Sequence, residues 1–150
     1  MLDKLNLLFF TFFYTGKLPA SGTFASMITI FIYYFVIFFF SNIVFILLFI
    51  IITIYSFFFL KGVLKKFENK DPKEIVIDEF IGQSIPLLMC GDNIVLLLIS
   101  FILFRIFDIF KIFPANIVDK EIDGTIGIIG DDIIAGLYTL IIVYLIKGYV

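Results

Sequence analysis

FASMITIFIYYFVIFFF (24–40), followed after Ser41–Asn42 by IVFILLFIIITIYSFFFL (43–60), decides the fold, because these two runs hold no Asp, Glu, Lys or Arg. A membrane span needs about 20 apolar residues, since ~1.5 Å per residue must cover ~30 Å of hydrocarbon. Phe24–Phe40 and Ile43–Leu60 meet that need, and with only Ser41–Asn42 between them they form a tight helical hairpin. Their Phe, Ile and Val content would favour strands in water. In lipid a helix wins, because it satisfies its own backbone hydrogen bonds.

The rest of the 150-residue chain extends the pattern, with 62% hydrophobic residues, 22 Phe and no Trp. A soluble domain is about 45–50% apolar, so lipid must cover the excess. Lys61–Glu74 reads as a polar loop, Ile75–Cys90 as a shorter apolar segment, and Gly91–Asn93 as a turn. Ile94–Phe113 is a full-length span, Pro114–Gly130 a second polar loop, and Asp131–Ile146 a last apolar helix. Met1–Phe13 resembles a short signal peptide but lacks a small-x-small cleavage site, so it reads as a retained N-terminal helix. The first and last helices either cross the bilayer or lie along it. The predicted fold is therefore all-α, a polytopic bundle of about four to five membrane helices plus a short N-terminal helix, in a single domain spanning 1–150.

Charge fixes orientation and excludes some functions. The 11 Lys and Arg form no basic stripe, which argues against nucleic acid. Lys4, Lys17, Lys61, Lys65, Lys66 and Lys120 flank one set of span ends, while the turns at Ser41–Asn42 and Gly91–Asn93 carry no cation. The positive-inside rule then puts the N-terminus and both polar loops in the cytoplasm, with Lys147 the exception. Residues 15–26, 78–83, 105–111 and 124–132 all fall at that face. The lone Cys90 sits in an apolar run and reads as packing, and the chain has no His.

Ile94–Phe113 holds the charges that lipid should reject. Its 16 apolar residues out of 20 favour insertion by about 5–10 kcal/mol. Three charges at the bilayer centre would cost roughly 2.5–3.5 kcal/mol each, which nearly cancels that gain. Arg105, Asp108 and Lys111 are spaced i, i+3, i+6, so they share one face that should turn inward. Either they form an internal ion network that orients helices, or they serve a functional site. Asp78–Glu79 and Asp131–Asp132 each open a helix. Capping and the helix dipole account for one acid of each pair, yet two acidic pairs plus Asp108 at one membrane face exceed that need. Clustered carboxylates suit Mg²⁺, and Arg and Lys beside them suit a phosphate. The loop Gly16–Thr23 and the glycine-rich stretch Gly124–Gly130 offer backbone N–H groups to such a ligand.

Four segments in order resemble the phosphatidylglycerophosphatase A family of bacterial membrane lipid phosphatases. They are GTFAS (22–26), IDEFIG (77–82), FRIFDIFK (104–111) with Pro114, and GIIGDDIIAG (127–136). Ser21, Ile112 and Ile77 stand where the family usually has Pro, Pro and often Trp, departures that touch loop shape more than charge. The resemblance implies Mg²⁺-dependent hydrolysis of phosphatidylglycerophosphate to phosphatidylglycerol and phosphate, at the cytoplasmic face of the bacterial inner membrane. It implies catalytic roles for Asp78, Glu79, Arg105, Asp108, Lys111, Asp131 and Asp132. Asp78, Glu79, Asp131 and Asp132 are the expected Mg²⁺ ligands, and Gly22, Thr23, Arg105 and Lys111 the expected phosphate contacts. Asp108 would ligate metal, orient Arg105 or act as base, and the nucleophile would be water or an aspartate. The expected partners are that lipid and the bilayer; the apolar hairpin faces lipid or a second copy in a homo-oligomer. An ion or solute transport protein and a structural membrane subunit are the competing classes. Transport would require polar residues through the full bilayer depth, whereas the first two spans carry no Asp, Glu, Lys or Arg and the charged face stops about halfway.

Overall fold

The computed structural model describes residues 2–69 and 72–150, and among these there is no strand. The described residues form seven helices in one bundle: α1 (Leu2–Phe10), α2 (Ser21–Phe39), α3 (Asn42–Leu64), α4 (Ile77–Cys90), α5 (Ile94–Phe110), α6 (Ala115–Glu121) and α7 (Thr125–Ile146), with a 3₁₀ turn at Thr15–Lys17. α2, α3 and α7 are long and apolar enough to cross a membrane. The all-α bundle expected from the sequence is therefore present. α5 is 17 residues, about 25 Å, because Lys111 leaves the helix in a left-handed conformation at φ 43°. At the other end of α5 the Asn93 side chain caps the helix, accepting from the N–H groups of Val95 and Leu96. The expected N-terminal helix is α1, with Met1 outside the described residues.

The polar loops differ from expectation. α3 runs on to Leu64, into the stretch read as a loop. The stretch Pro114–Gly130 contains α6 and the first turns of α7, so only residues 122–124 connect the two helices. Asp131 and Asp132 consequently lie about two turns inside a 22-residue helix and do not open it. The cause is close packing. A Cβ on Gly127 would stand 1.8 Å from the carbonyl oxygen of Ile122, and one on Gly130 would stand 2.9 Å from Val118 Cγ1. These glycines are helical residues that let α6 and α7 touch, the usual role of small residues between membrane helices.

The same device sets the bundle's centre. α4 and α7 share its most extensive contact. A Cβ on Gly136 would approach the Gly82 carbonyl oxygen to 2.3 Å, and one on Gly82 would approach the Asp132 carbonyl oxygen to 2.6 Å. Two apolar clusters flank this crossing. One gathers Phe10, Leu60, Ile77, Phe80, Ile81 and Ile129 near the start of α4. The other gathers Tyr33, Phe45, Leu87, Cys90, Leu96 and Val143 at the far end, where Cys90 is a packing residue. α2 and α3 keep Phe31, Phe38, Ile51 and Phe58 more than half exposed, as helices surrounded by acyl chains should.

Candidate active site

Four chain segments converge on a cavity of about 810 Å³. The first is the 3₁₀ turn with the start of α2. Gly16 lies so close to the backbone of Glu74 that a Cβ there would fall 2.0 Å from its carbonyl oxygen. Ser21 Oγ donates to the Lys73 carbonyl at 3.0 Å, and Val76 N–H donates to the Phe10 carbonyl at 3.0 Å. These contacts pin the chain entering α4, and Asp78 and Glu79 occupy that helix's first turn. Acids there complement the helix dipole. The sequence reading of α4 as a helix opened by acids therefore holds, whereas the same reading of α7 does not.

The second and third segments are α4 and α7, locked together at Gly82 and Gly136. That crossing brings Asp132 of α7, which is buried, beside the first turn of α4. One carboxylate oxygen from each of Asp78, Glu79 and Asp132 lies within 4.8 Å of the others. Asp131 is also buried but stands outside this triad, its Oδ2 accepting from Lys111 Nζ at 2.7 Å. The fourth segment is the end of α5. Arg105 Nη1 pairs with Asp108 Oδ2 one turn on, both side chains mostly buried. Lys111 reaches α7 and α6 at once, pairing with Asp131 and with Asp119. Burial opposes the charge of Lys111, but its hydrogen bonds to Asp119 and Asp131 outweigh that and raise its pKa.

The inward-facing Arg105–Asp108–Lys111 stripe is thus present, although Lys111 pairs with other helices and not with Asp108. Gly22 and Thr23 line the cavity from the first turn of α2, which starts at Ser21, not from a loop. Gly22 is pressed against the acids, since a Cβ there would meet Glu79 Oε1 at 2.1 Å and Arg105 Nη1 at 3.0 Å. Sequence reasoning missed Asp119, Lys73 and Glu74. The last two lie just before α4 and line the cavity; their adjacency to Asp78 was the available signal. Asp119 gave no signal, because α6 was read as loop.

The arrangement fits a hard divalent cation. Asp108 and Asp131 pair with the two cations at the site, Arg105 and Lys111. Glu79 Oε2 and Asp132 Oδ2 remain buried without a hydrogen-bond partner among the described residues. Carboxylate oxygens are the donors Mg²⁺ prefers, with bonds of about 2.1 Å, so two donors on adjacent corners of its octahedron stand about 3 Å apart. The triad oxygens, all within 4.8 Å of one another, would draw together by side-chain rotation to share one ion. The Nε of Arg105 is likewise buried and unpartnered, and Arg105 lines the cavity, where its guanidinium suits a phosphate.

Comparison with known proteins agrees with this chemistry. The sequence matches the family model described as phosphatidylglycerophosphatase A over residues 8–147. A Bacteroides thetaiotaomicron protein, named provisionally as a phosphatidylinositol-3-phosphatase, is 40% identical over 78 residues, 49% of this chain and 48% of that protein. A Haemophilus influenzae protein named phosphatidylglycerophosphatase A is 38% identical over 78 residues, 51% of this chain and 48% of its own. An Escherichia coli protein of the same name is 39% identical over 77 residues, 51% of this chain and 45% of its own. The chain spans about half the length of the curated relatives it matches. No solved structure matches it.

Proposed function

The chain belongs to the phosphatidylglycerophosphatase A family, and on that premise we propose that it is a Mg²⁺-dependent phosphatase that hydrolyses phosphatidylglycerophosphate to phosphatidylglycerol and inorganic phosphate. The observation that carries this reading is the placement of the Asp78–Glu79–Asp132 triad beside Arg105 and Lys111 in one cavity. Carboxylates alone would suit many cation-binding proteins, and cations alone many anion-binding ones. Their juxtaposition suits a phosphomonoester.

Asp78, Glu79 and Asp132 would hold the cation, while Asp131 is engaged by Lys111. When bound, Mg²⁺ supplies positive charge that polarises the phosphoryl oxygens. Arg105 grips the phosphate through its guanidinium fork and offsets charge that develops during transfer. Asp108 orients that fork. Lys111, held by Asp119 and Asp131, adds a second positive charge at the mouth. Gly22 and Thr23 bring the first turn of α2, the positive end of that helix's dipole, to the same phosphate. The cytoplasmic face of the bacterial inner membrane is the proposed location, on the lysine distribution of the sequence.

A phosphate-release assay on the purified protein tests this reading. Phosphatidylglycerophosphate in mixed micelles should release phosphate with Mg²⁺ and stop doing so in EDTA. Phosphatidylinositol 3-phosphate, the substrate class in one relative's name, should be the poorer substrate. Release that persists undiminished in EDTA, or no release with Mg²⁺ present, rejects the proposal.

A further inference from the structure

We propose that the groove between α2 and α5 is the seat of one acyl chain of the lipid substrate, so that the enzyme draws its lipid in edgewise from the bilayer between these two helices. The inference rests on the phosphatase reading, because the polar cavity is what fixes the lipid's headgroup.

The groove encloses about 390 Å³ and is lined by Met27, Ile30 and Tyr34 of α2 and by Leu97, Leu98 and Phe101 of α5, among others. Its lining follows that of the polar cavity along both helices. Thr23 lines the cavity, and Met27, Ile30 and Tyr34 follow it at i+4, i+7 and i+11 on the same face of α2. Asp108 lines the cavity too, and Phe101 and Leu97 precede it at i−7 and i−11 on the same face of α5. Each helix thus presents one stripe that changes from polar to apolar at the same level. From Met27 to Tyr34 the apolar part runs about 10 Å along the helix axis. A phosphomonoester held at Arg105 places its glycerol at the mouth, and its chains must then descend into hydrocarbon. The α2–α5 stripe is the adjoining wall. Met27, Tyr34 and Leu98 stay well exposed, so the groove is open sideways to lipid and a chain can enter without threading.

The absence of Trp makes a direct test possible. Leu98→Trp puts a single indole in the groove. Leu137→Trp puts one on the exposed face of α7, away from the groove. Each protein is placed in phosphatidylcholine bilayers and titrated with a non-hydrolysable phosphonate analogue of phosphatidylglycerophosphate carrying brominated acyl chains. The indole at position 98 should be quenched several-fold more strongly than that at 137. Unbrominated analogue should relieve the difference, and added phosphatidylcholine should not. Equal quenching at the two positions overturns the proposal. So does an unquenched indole at 98 accompanied by cross-linking of two chains through this face, which would assign the groove to a second copy. Wild-type phosphate release alongside equal quenching removes the groove and leaves the phosphatase reading intact. Preferential quenching without phosphate release does the reverse.

Discussion

Replacing Gly22 by Ala isolates the cavity's geometry from the stability of the bundle. The added Cβ would lie 2.1 Å from Glu79 Oε1, so that oxygen must retreat by more than 1 Å to reach ordinary contact, and Arg105 Nη1 at 3.0 Å must yield as well. Both obstacles are ends of flexible side chains, so the fold can absorb the methyl group. Ala is also the better helix former, by about 0.5–1 kcal/mol in a helix interior, which offsets the remaining strain in the first turn of α2. Thermal stability should therefore stay near that of the wild type. Catalysis should not, because a misplacement of roughly 1 Å costs on the order of 100-fold in rate, or ~2.7 kcal/mol of transition-state stabilisation. Initial rates of phosphate release and thermal unfolding in the same detergent measure the two quantities. Gly62→Ala, inside α3, is the control, since a Cβ there meets nothing within 4 Å; it should leave the rate unchanged and raise stability by about 0.5–1 kcal/mol. A Gly22→Ala protein with wild-type activity would refute the placement of Glu79 in the machinery. A large fall in its Tm would show that the effect is on folding.

Removing Mg²⁺ with EDTA should abolish phosphate release, and re-adding it should restore the rate, as followed by a colorimetric phosphate assay. Asp132→Asn should lower the rate far more than Asp131→Asn, because Asp132 belongs to the triad while Asp131 is engaged by Lys111; the second change should cost about 10–100-fold, as groups that support metal ligands do. Equal losses in the two would erase that distinction. Gly136→Ala should destabilise by about 1–3 kcal/mol, because its Cβ meets the Gly82 carbonyl, a backbone atom that cannot move unless α4 and α7 part. Thermal unfolding reads that change, and an unaltered Tm would contradict the packing argument.

The hairpin was legible because lipid imposes a simple demand on composition. α2 ends at Phe39 and α3 begins at Asn42, around the Ser41–Asn42 break that the apolar runs define. The inward stripe of Arg105 and Asp108 was legible for the same reason, since charges inside an apolar helix must face one another. The Gly124–Gly130 stretch was not. In water, glycine argues against helix by about 1 kcal/mol relative to Ala, so it reads as loop. Here Gly127 and Gly130 are helical because α6 approaches too closely for a side chain, a tertiary fact that no local pattern encodes. That misreading hid α6, and with it Asp119 as a partner of Lys111. It also placed Asp131 and Asp132 at a helix start, where capping would account for one of them. Two turns inside α7, capping has no role, and the case that these acids serve a ligand becomes stronger than the sequence suggested.

The central claim is that Asp78, Glu79 and Asp132 together hold a divalent cation. Electron paramagnetic resonance of Mn²⁺ added to the metal-stripped protein tests it without recourse to turnover. The wild type should bind Mn²⁺, Mg²⁺ should displace it, and the Asp78→Asn/Glu79→Gln/Asp132→Asn protein should leave it free in solution. A folded triple variant that retains Mn²⁺ as tightly as the wild type would contradict the account.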